Sequence, residues 1–240
     1  MNIVIDQGNS SAKIALFKKD QLEEVFCFYT LEELDLLNII ERFSPQRGIL
    51  SVVGDMNPSL VSLLKTKIPN FIELDEATKL PIQIEYKTPK TLGRDRIAAV
   101  VGAYTQKRNR NLLIIDMGTA ITYDFLDSNG IYKGGNISPG MTTRFNALHQ
   151  FTKKLPLLDE NGDVPKIGYD TETAIRSGVI NGIVREIESY MDEYEKKQDV
   201  LTFLTGGHAI YFANKFKKRI FADGNLVLKG LNEILKYQYV

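Results

Sequence analysis

The chain has 240 residues, 43% apolar and 25% charged, and its 30 basic residues are balanced by 30 acidic ones. That length and mix suit one or two soluble domains with sizeable cores, and the zero net charge argues against a nucleic-acid-binding surface. One cysteine and two histidines rule out a disulfide framework and a Cys/His zinc cage.

The first elements read as short strands. "NIVIDQGNSSAK" opens with an apolar run, Ile3 to Ile5, that ends on Asp6 and turns at Gly8. "AKIALFK" (12–18) and "LEEVFCFY" (22–29) complete a meander, with Cys27 expected as a buried strand thiol. Leucines and isoleucines at helical spacing predict a helix over 31–43 with Thr30 as its N-cap. A strand at 48–54, a helix at 57–68 with Pro58 in its first turn, and a strand at 70–74 follow. Residues 75–92 are looser and hold Pro81 and Pro89; an Ala- and Val-rich helix closes "TLGRDRIAAVVGAYTQ" (91–106).

"NLLIIDMGTAITYDFLD" then repeats strand, turn and strand, and "GIYKGGNISPGM" (130–141) extends it. A helix is expected over 142–150, an irregular stretch over 152–170, and the longest helix over 171–197. The apolar face of that helix is wide at its N-terminal end, which points to a helix from a partner. "VLTFLTGGHAIYFANKF" (200–216) reads as strand, glycine turn and helix, and a helix over 225–239 closes the chain. No apolar run reaches membrane-spanning length and the first residues lack a signal-peptide pattern, so a cytoplasmic protein is expected. His208 reads as a surface loop histidine without a role.

Aligning Asp6 with Asp116 puts Gly8 on Gly118, each pair closing an apolar strand at the start of a half. The pattern is mixed α/β with an internal duplication, giving expected lobes at 1–110 and 111–240. A carboxylate at a strand end can face a cation, and a glycine two residues on lets backbone amides approach phosphate oxygens. Ser10, Ser11, Thr119 and Thr122 add hydroxyl donors nearby. Two such turns would grip a nucleotide. A P-loop string is missing from the sequence.

"DQGNSSAK" and "DMGTAIT" resemble the two phosphate loops of the acetate and sugar kinase/chaperone ATPase/actin superfamily. With "GRDR" (93–96), "GGNISPG" (134–140), "YDTETAIRSG" (169–178) and "LTGG" (204–207) in order, the whole chain resembles the type III pantothenate kinases. The resemblance implies two ribonuclease-H-like lobes with a cleft, and ATP-dependent phosphorylation of pantothenate, the first step towards coenzyme A. It also implies Mg2+, a monovalent cation (K+ or NH4+), and a homodimer with the pantothenate site near its interface. Neither a nucleic acid nor a membrane is implied as a partner.

By the same resemblance, Asp6, Gln7, Gly8, Asn9, Ser10, Ser11, Ala12 and Lys13 form the first phosphate loop, with Asp6 positioning the magnesium. Asp116 holds the monovalent cation, Gly118 and Thr119 meet nucleotide phosphates, and Gly206 and Gly207 sit beside the nucleoside. Asp95 is the general base, Arg96 orients or neutralises its surroundings, and Gly93, Arg94, Tyr86 and Thr171 contact pantothenate. Gln7, Ser10, Arg94 and His208 depart from the family's usual residues. Two other functions fit the same fold: another small-molecule kinase, or a nucleotide-binding transcription accessory factor without transfer activity.

Overall fold

The structure, a computed structural model, describes residues 1–197 and 199–239. Its first sheet is built from β1 (Asn2–Gln7), β2 (Ala12–Lys18), β3 (Gln21–Phe28), β4 (Arg47–Val52) and β5 (Asn70–Glu73), in the order β3-β2-β1-β4-β5. β1 runs antiparallel to β2 and parallel to β4. The sheet has two buried faces because its central strands carry consecutive apolar residues, Ile3–Ile5, Ile14–Phe17 and Ile49–Leu50. Ile3, Ile5, Ile14 and Leu16 meet Leu36, Ile39, Leu60 and Leu64 of α1 (Glu33–Phe43) and α2 (Pro58–Lys67). Val4, Ala15 and Ile49 alternate to the opposite face and are also fully buried.

Three local expectations change. Helix α1 is capped at Glu32, not Thr30, because the Asp35 carboxylate accepts the Glu32 backbone N–H at 3.0 Å. Cys27 is exposed, not buried. β3 is an edge strand packed on one side, so Phe26 and Phe28 turn inward and Cys27 between them turns out. The expected loose stretch contains a two-residue strand, β6 (Gln83–Ile84), and a single turn at Pro89–Thr91 before α3 (Arg94–Gln106).

The second sheet adds β7 (Asn111–Met117), β8 (Ala120–Leu126), β9 (Ile131–Pro139), β10 (Val200–Thr205) and β11 (Phe221–Ala222), in the order β11-β10-β7-β8-β9-β6. β7 neighbours β8 and pairs in parallel with β10, as β1 neighbours β2 and pairs in parallel with β4. Helices α4 (Met141–Phe151), α5 (Thr171–Lys197) and α6 (Ala209–Ala213) supply Phe145, Ile180, Ile183, Ile187 and Phe212 to its core. The irregular stretch before α5 is held by side chains. Pro165 O accepts from Ser177 Oγ at 2.6 Å and Asn181 Nδ2 at 3.1 Å, and Arg176 Nε donates to Asp159 O at 3.2 Å.

The chain forms two compact units, one of residues 1–109, 126–134 and 225–240, the other of 110–125 and 135–224. The division differs from 1–110 and 111–240 at the β8–β9 tip and at the closing helix, α7 (Leu226–Tyr237). Helix α7 packs on α3 of the first unit through two glycines. A Cβ on Gly230 would lie 1.8 Å from Ala98 O, and one on Gly102 would lie 2.3 Å from Leu226 O. Backbones this close admit no side chain. Among the described residues no helix is long and apolar enough to cross a membrane.

Candidate active site

Asp6 stands at the end of β1, where the sheet stops being apolar. Its register partners are Lys13 on β2 and Ser51 on β4. The residue keeps some accessible surface, but Oδ1 is buried and completes no hydrogen bond; the adjacent Ser51 hydroxyl lowers the acid's pKa without reaching ordinary bonding geometry. Burial, then repulsion from Asp95, raises the Asp6 pKa to about 6, against weaker opposing pulls from Ser51 and Lys13. The turn beyond is lightly tied. Gly8 N donates to Ser11 O at 3.0 Å and Gln7 Nε2 to Gly8 O at 3.1 Å, while Asn9 and Ser10 are exposed. Gly54, after β4, lies beside it: a Cβ there would be 3.1 Å from Asn9 Oδ1.

The fold thus brings together two carboxylates that are 89 residues apart in the chain, Asp6 and Asp95. Asp95 sits in the first turn of α3 and folds back over the helix start, where Arg96 N donates to its Oδ1 at 2.8 Å. Gly93 makes room for this. A Cβ at Gly93 would fall 2.5 Å from Asp95 Oδ1, although its φ of −55° suits any residue. Arg96 is buried, its stem beside Gly93. Arg94 is half-buried and near enough to Asp75 to lower that acid's pKa, after hydrogen bonds from Thr78 and Ala77.

Tyr86 is half-buried in the same unit, its ring 6.0 Å from that of Tyr132 and against Gly134. Gly134 adopts φ +106°, and a Cβ there would meet the Tyr86 ring at 3.5 Å. Tyr86 lines an open groove of about 750 Å³ with Ile84, Glu85, Lys87, Thr88 and Lys133.

In the second unit Asp116 ends β7 with Thr205 of β10 as its register partner, the counterpart of Asp6 with Ser51. The turn that follows is enclosed by backbone. Gly206 has φ +93°, and a Cβ on it would lie 2.4 Å from Asp116 Oδ1 and 2.6 Å from Met117 N. Gly140 presses from another side, its Cβ position 2.2 Å from Gly118 O and 2.6 Å from Thr119 O. The Thr119 carbonyl accepts from Gly140 N at 3.0 Å and from Thr143 Oγ1 at 2.7 Å. Gly207 is exposed with open space around it. His208 is half-buried, and its backbone N–H donates to Met117 O at 3.1 Å, which ties it to this turn. Thr171 is exposed at the start of α5, just after Asp170, whose Oδ1 accepts Thr173 N at 2.8 Å as a helix cap.

Sequence reasoning did not single out Ser51 or Gly54. Neither has a local signal; Ser51 is placed by strand pairing, and Gly54 follows the end of the same strand. Among the described residues no three Asp, Glu, His or Cys side chains gather as a metal site.

A family model described as type III pantothenate kinase matches residues 2–193. The chain belongs to the type III pantothenate kinase family. It is 55% identical over 238 residues to a type III pantothenate kinase of Azobacteroides pseudotrichonymphae genomovar. CFP2, covering 99% of this chain and 97% of that one. It is 48% identical over 240 residues to that of Phocaeicola vulgatus, covering 99% and 98%. Among solved structures, a conserved Baf family protein from Campylobacter jejuni, described as a transcriptional activator, superposes with TM-score 0.65 at 25% identity over 99% of this chain and 98% of that one. The activator of the 2-hydroxyisocaproyl-CoA dehydratase from Clostridium difficile, with bound ADPNP, superposes with TM-score 0.57 at 11% identity over 98% and 93%. Both sheets follow the ribonuclease-H-like pattern of the actin-like ATPases and kinases. As a type III pantothenate kinase, the chain is an enzyme of ATP-dependent pantothenate phosphorylation on the way to coenzyme A.

Proposed function

We propose that Asp95 carries the transfer to pantothenate by orienting its primary hydroxyl and accepting the proton, and that Asp6 holds the divalent ion that accompanies ATP. The observation behind this reading is the pair itself: a buried, unbonded Asp6 oxygen beside a second carboxylate. Burial and a nearby like charge make ionising Asp6 costly, and a divalent cation lowers that cost. The residues therefore fit Mg2+, which takes one or two carboxylates and draws its other ligands from water and phosphate. When bound, it supplies charge neutralisation for the transferring phosphoryl group. Asp95 is then asked for little as a base, since loose phosphoryl transfer depends mostly on positioning and electrostatics.

The backbone amides and hydroxyls of Gly8 to Ser11 and of Gly118–Thr119 face the ATP phosphates in this reading, and Lys13 adds positive charge. The structural relative that carries ADPNP supports a nucleotide site on this fold. Asp116 fits a monovalent cation, K+ or NH4+: a side chain at Gly206 would fill the space beside its Oδ1. Gly207, open and without a side chain, suits the nucleoside. Arg96, Gly93, Arg94 and Tyr86 border pantothenate, with Thr171. The enzyme works as a cytoplasmic homodimer. Phe151, Ile167 and Tyr169, 82%, 82% and 70% exposed shortly before Thr171 in the chain, offer apolar surface to a second copy.

The deciding experiment measures ADP release with and without pantothenate, with magnesium, in potassium and in sodium buffers. Release that requires pantothenate and rises with potassium supports the reading. Pantothenate-independent release refutes transfer to pantothenate, and indifference to the monovalent ion removes the role given to Asp116. Full activity in a protein of monomeric mass refutes the shared site.

A further inference from the structure

We propose that Glu186 and Arg144, distant in sequence from every phosphate-loop motif, are positioning residues for the second phosphate loop. The proposal rests on the reading that Thr119 meets the ATP phosphates.

Glu186 lies midway along α5 and is half-buried, yet both its carboxylate oxygens are taken. Oε1 accepts from Tyr123 Oη on β8 and from Ser138 Oγ on β9, each at 2.6 Å. Oε2 pairs with Arg144 of α4, also at 2.6 Å. Burial alone would raise the Glu186 pKa, but bonds from Ser138, Tyr123 and Arg144 together hold it below the usual carboxylate range. Burial, and then Glu186 itself, pushes the Tyr123 phenol far above its ordinary value, so it stays a neutral donor.

Arg144 carries the connection onward. Its Nε donates to Pro139 O at 2.8 Å, and the NH2 group bonded to Glu186 also reaches Ser138 Oγ at 3.3 Å. Residues 138–139 lead directly into Gly140, whose backbone supports Gly118 and Thr119 and donates to the Thr119 carbonyl. The series from Glu186 through Arg144 and Pro139 to Gly140 and Thr119 consists of short contacts only. A planar guanidinium held by a carboxylate has one orientation, so it fixes the carbonyl it serves. A network needed only to hold α5 on the sheet could end at Tyr123. This one ends on the backbone beneath the phosphate loop.

The test uses steady-state kinetics and thermal melts on the full-length enzyme. Glu186→Gln and Arg144→Lys should each lower kcat/KM for ATP roughly tenfold, the scale of a misplaced phosphate contact, with KM for pantothenate unchanged. Arg144→Lys keeps the charge and loses the fork, so it tests positioning even if Glu186→Gln folds poorly. Tyr123→Phe keeps the link to Pro139 and should change kcat/KM for ATP less than roughly twofold while lowering the melting temperature. Thr119→Ala reports on the underlying reading. If it raises KM for ATP while Glu186→Gln and Arg144→Lys lower only the melting temperature, the positioning role is refuted and the loop's role stands. If Thr119→Ala leaves ATP kinetics unchanged, the loop's role fails and the inference fails with it.

Discussion

Asp6 and Asp116 each stand near the end of a central strand, β1 and β7, opposite a hydroxyl residue, Ser51 and Thr205, yet their surroundings differ. The turn after Asp6 is lightly tied, its Asn9 and Ser10 are exposed, and one buried carboxylate oxygen has no hydrogen-bond partner. The turn after Asp116 is enclosed between Gly140 and Gly206 and bonded through Thr119 O. Burial and the nearby Asp95 make Asp6, before the first turn, costly to ionise. The second is built in advance by packing. One duplicated motif therefore meets two physical environments: the first turn follows a carboxylate that is costly to ionise, and the second is closely packed by backbone.

The largest expected effect comes from the acid beside the first turn. Asp95→Asn should lower kcat by roughly 10²–10⁴ while ATP still binds by calorimetry. Loss of ATP binding would move Asp95 from the acceptor to the metal. Next is the enclosed turn. Gly206→Ala meets backbone at 2.6 Å and needs φ +93°, so it should cost roughly 3 kcal/mol in a denaturant melt. An unchanged midpoint would show that the second turn yields as easily as the first.

Asp6→Asn tests the stored cost. The folded-state pKa of about 6 lies above the ordinary 3.8, so the folded chain binds the proton more tightly than the unfolded chain. Ionising Asp6 therefore costs stability. The cost sets in as pH rises through about 4, is complete above about 6, and amounts to on the order of 2–3 kcal/mol. Without ligands, Asp6→Asn should melt several degrees higher than the natural protein at pH 7.5 and at nearly the same temperature at pH 4, while losing magnesium-dependent turnover. A variant that melts lower at pH 7.5 would remove the electrostatic contrast between the turns.

Smaller still is Gly93→Ala. Its backbone angle is allowed, so the melt should hardly move, but the displaced Asp95 carboxylate should lower kcat roughly tenfold. Unchanged turnover would mean that the acid's position over the helix start is unimportant. Gly207→Ala, with open space around it, should leave stability within about 0.5 kcal/mol, in contrast to its neighbour Gly206.

Much of this was legible in the chain. Apolar runs ending on Asp6 and Asp116 with glycine two residues on marked both turns, because strand ends and turn chemistry are local properties. Pro58 at a helix start was legible for the same reason. Cys27 was misread because alternation shows that one face is buried without saying which, and an edge strand has only one packed side. Glu186 looks in sequence like any acid on a long helix.

By itself the sequence determined the order of the longer elements, the duplicated carboxylate turns and the family, since each depends on residues close together or on motifs in series. Only the tertiary structure decided that Asp95 comes near enough to Asp6 to raise its pKa, that α7 packs with the first unit, and that α5 reaches the second turn through Arg144. Those depend on contacts between distant segments, where strand register and the close approach of glycine backbones select the partners.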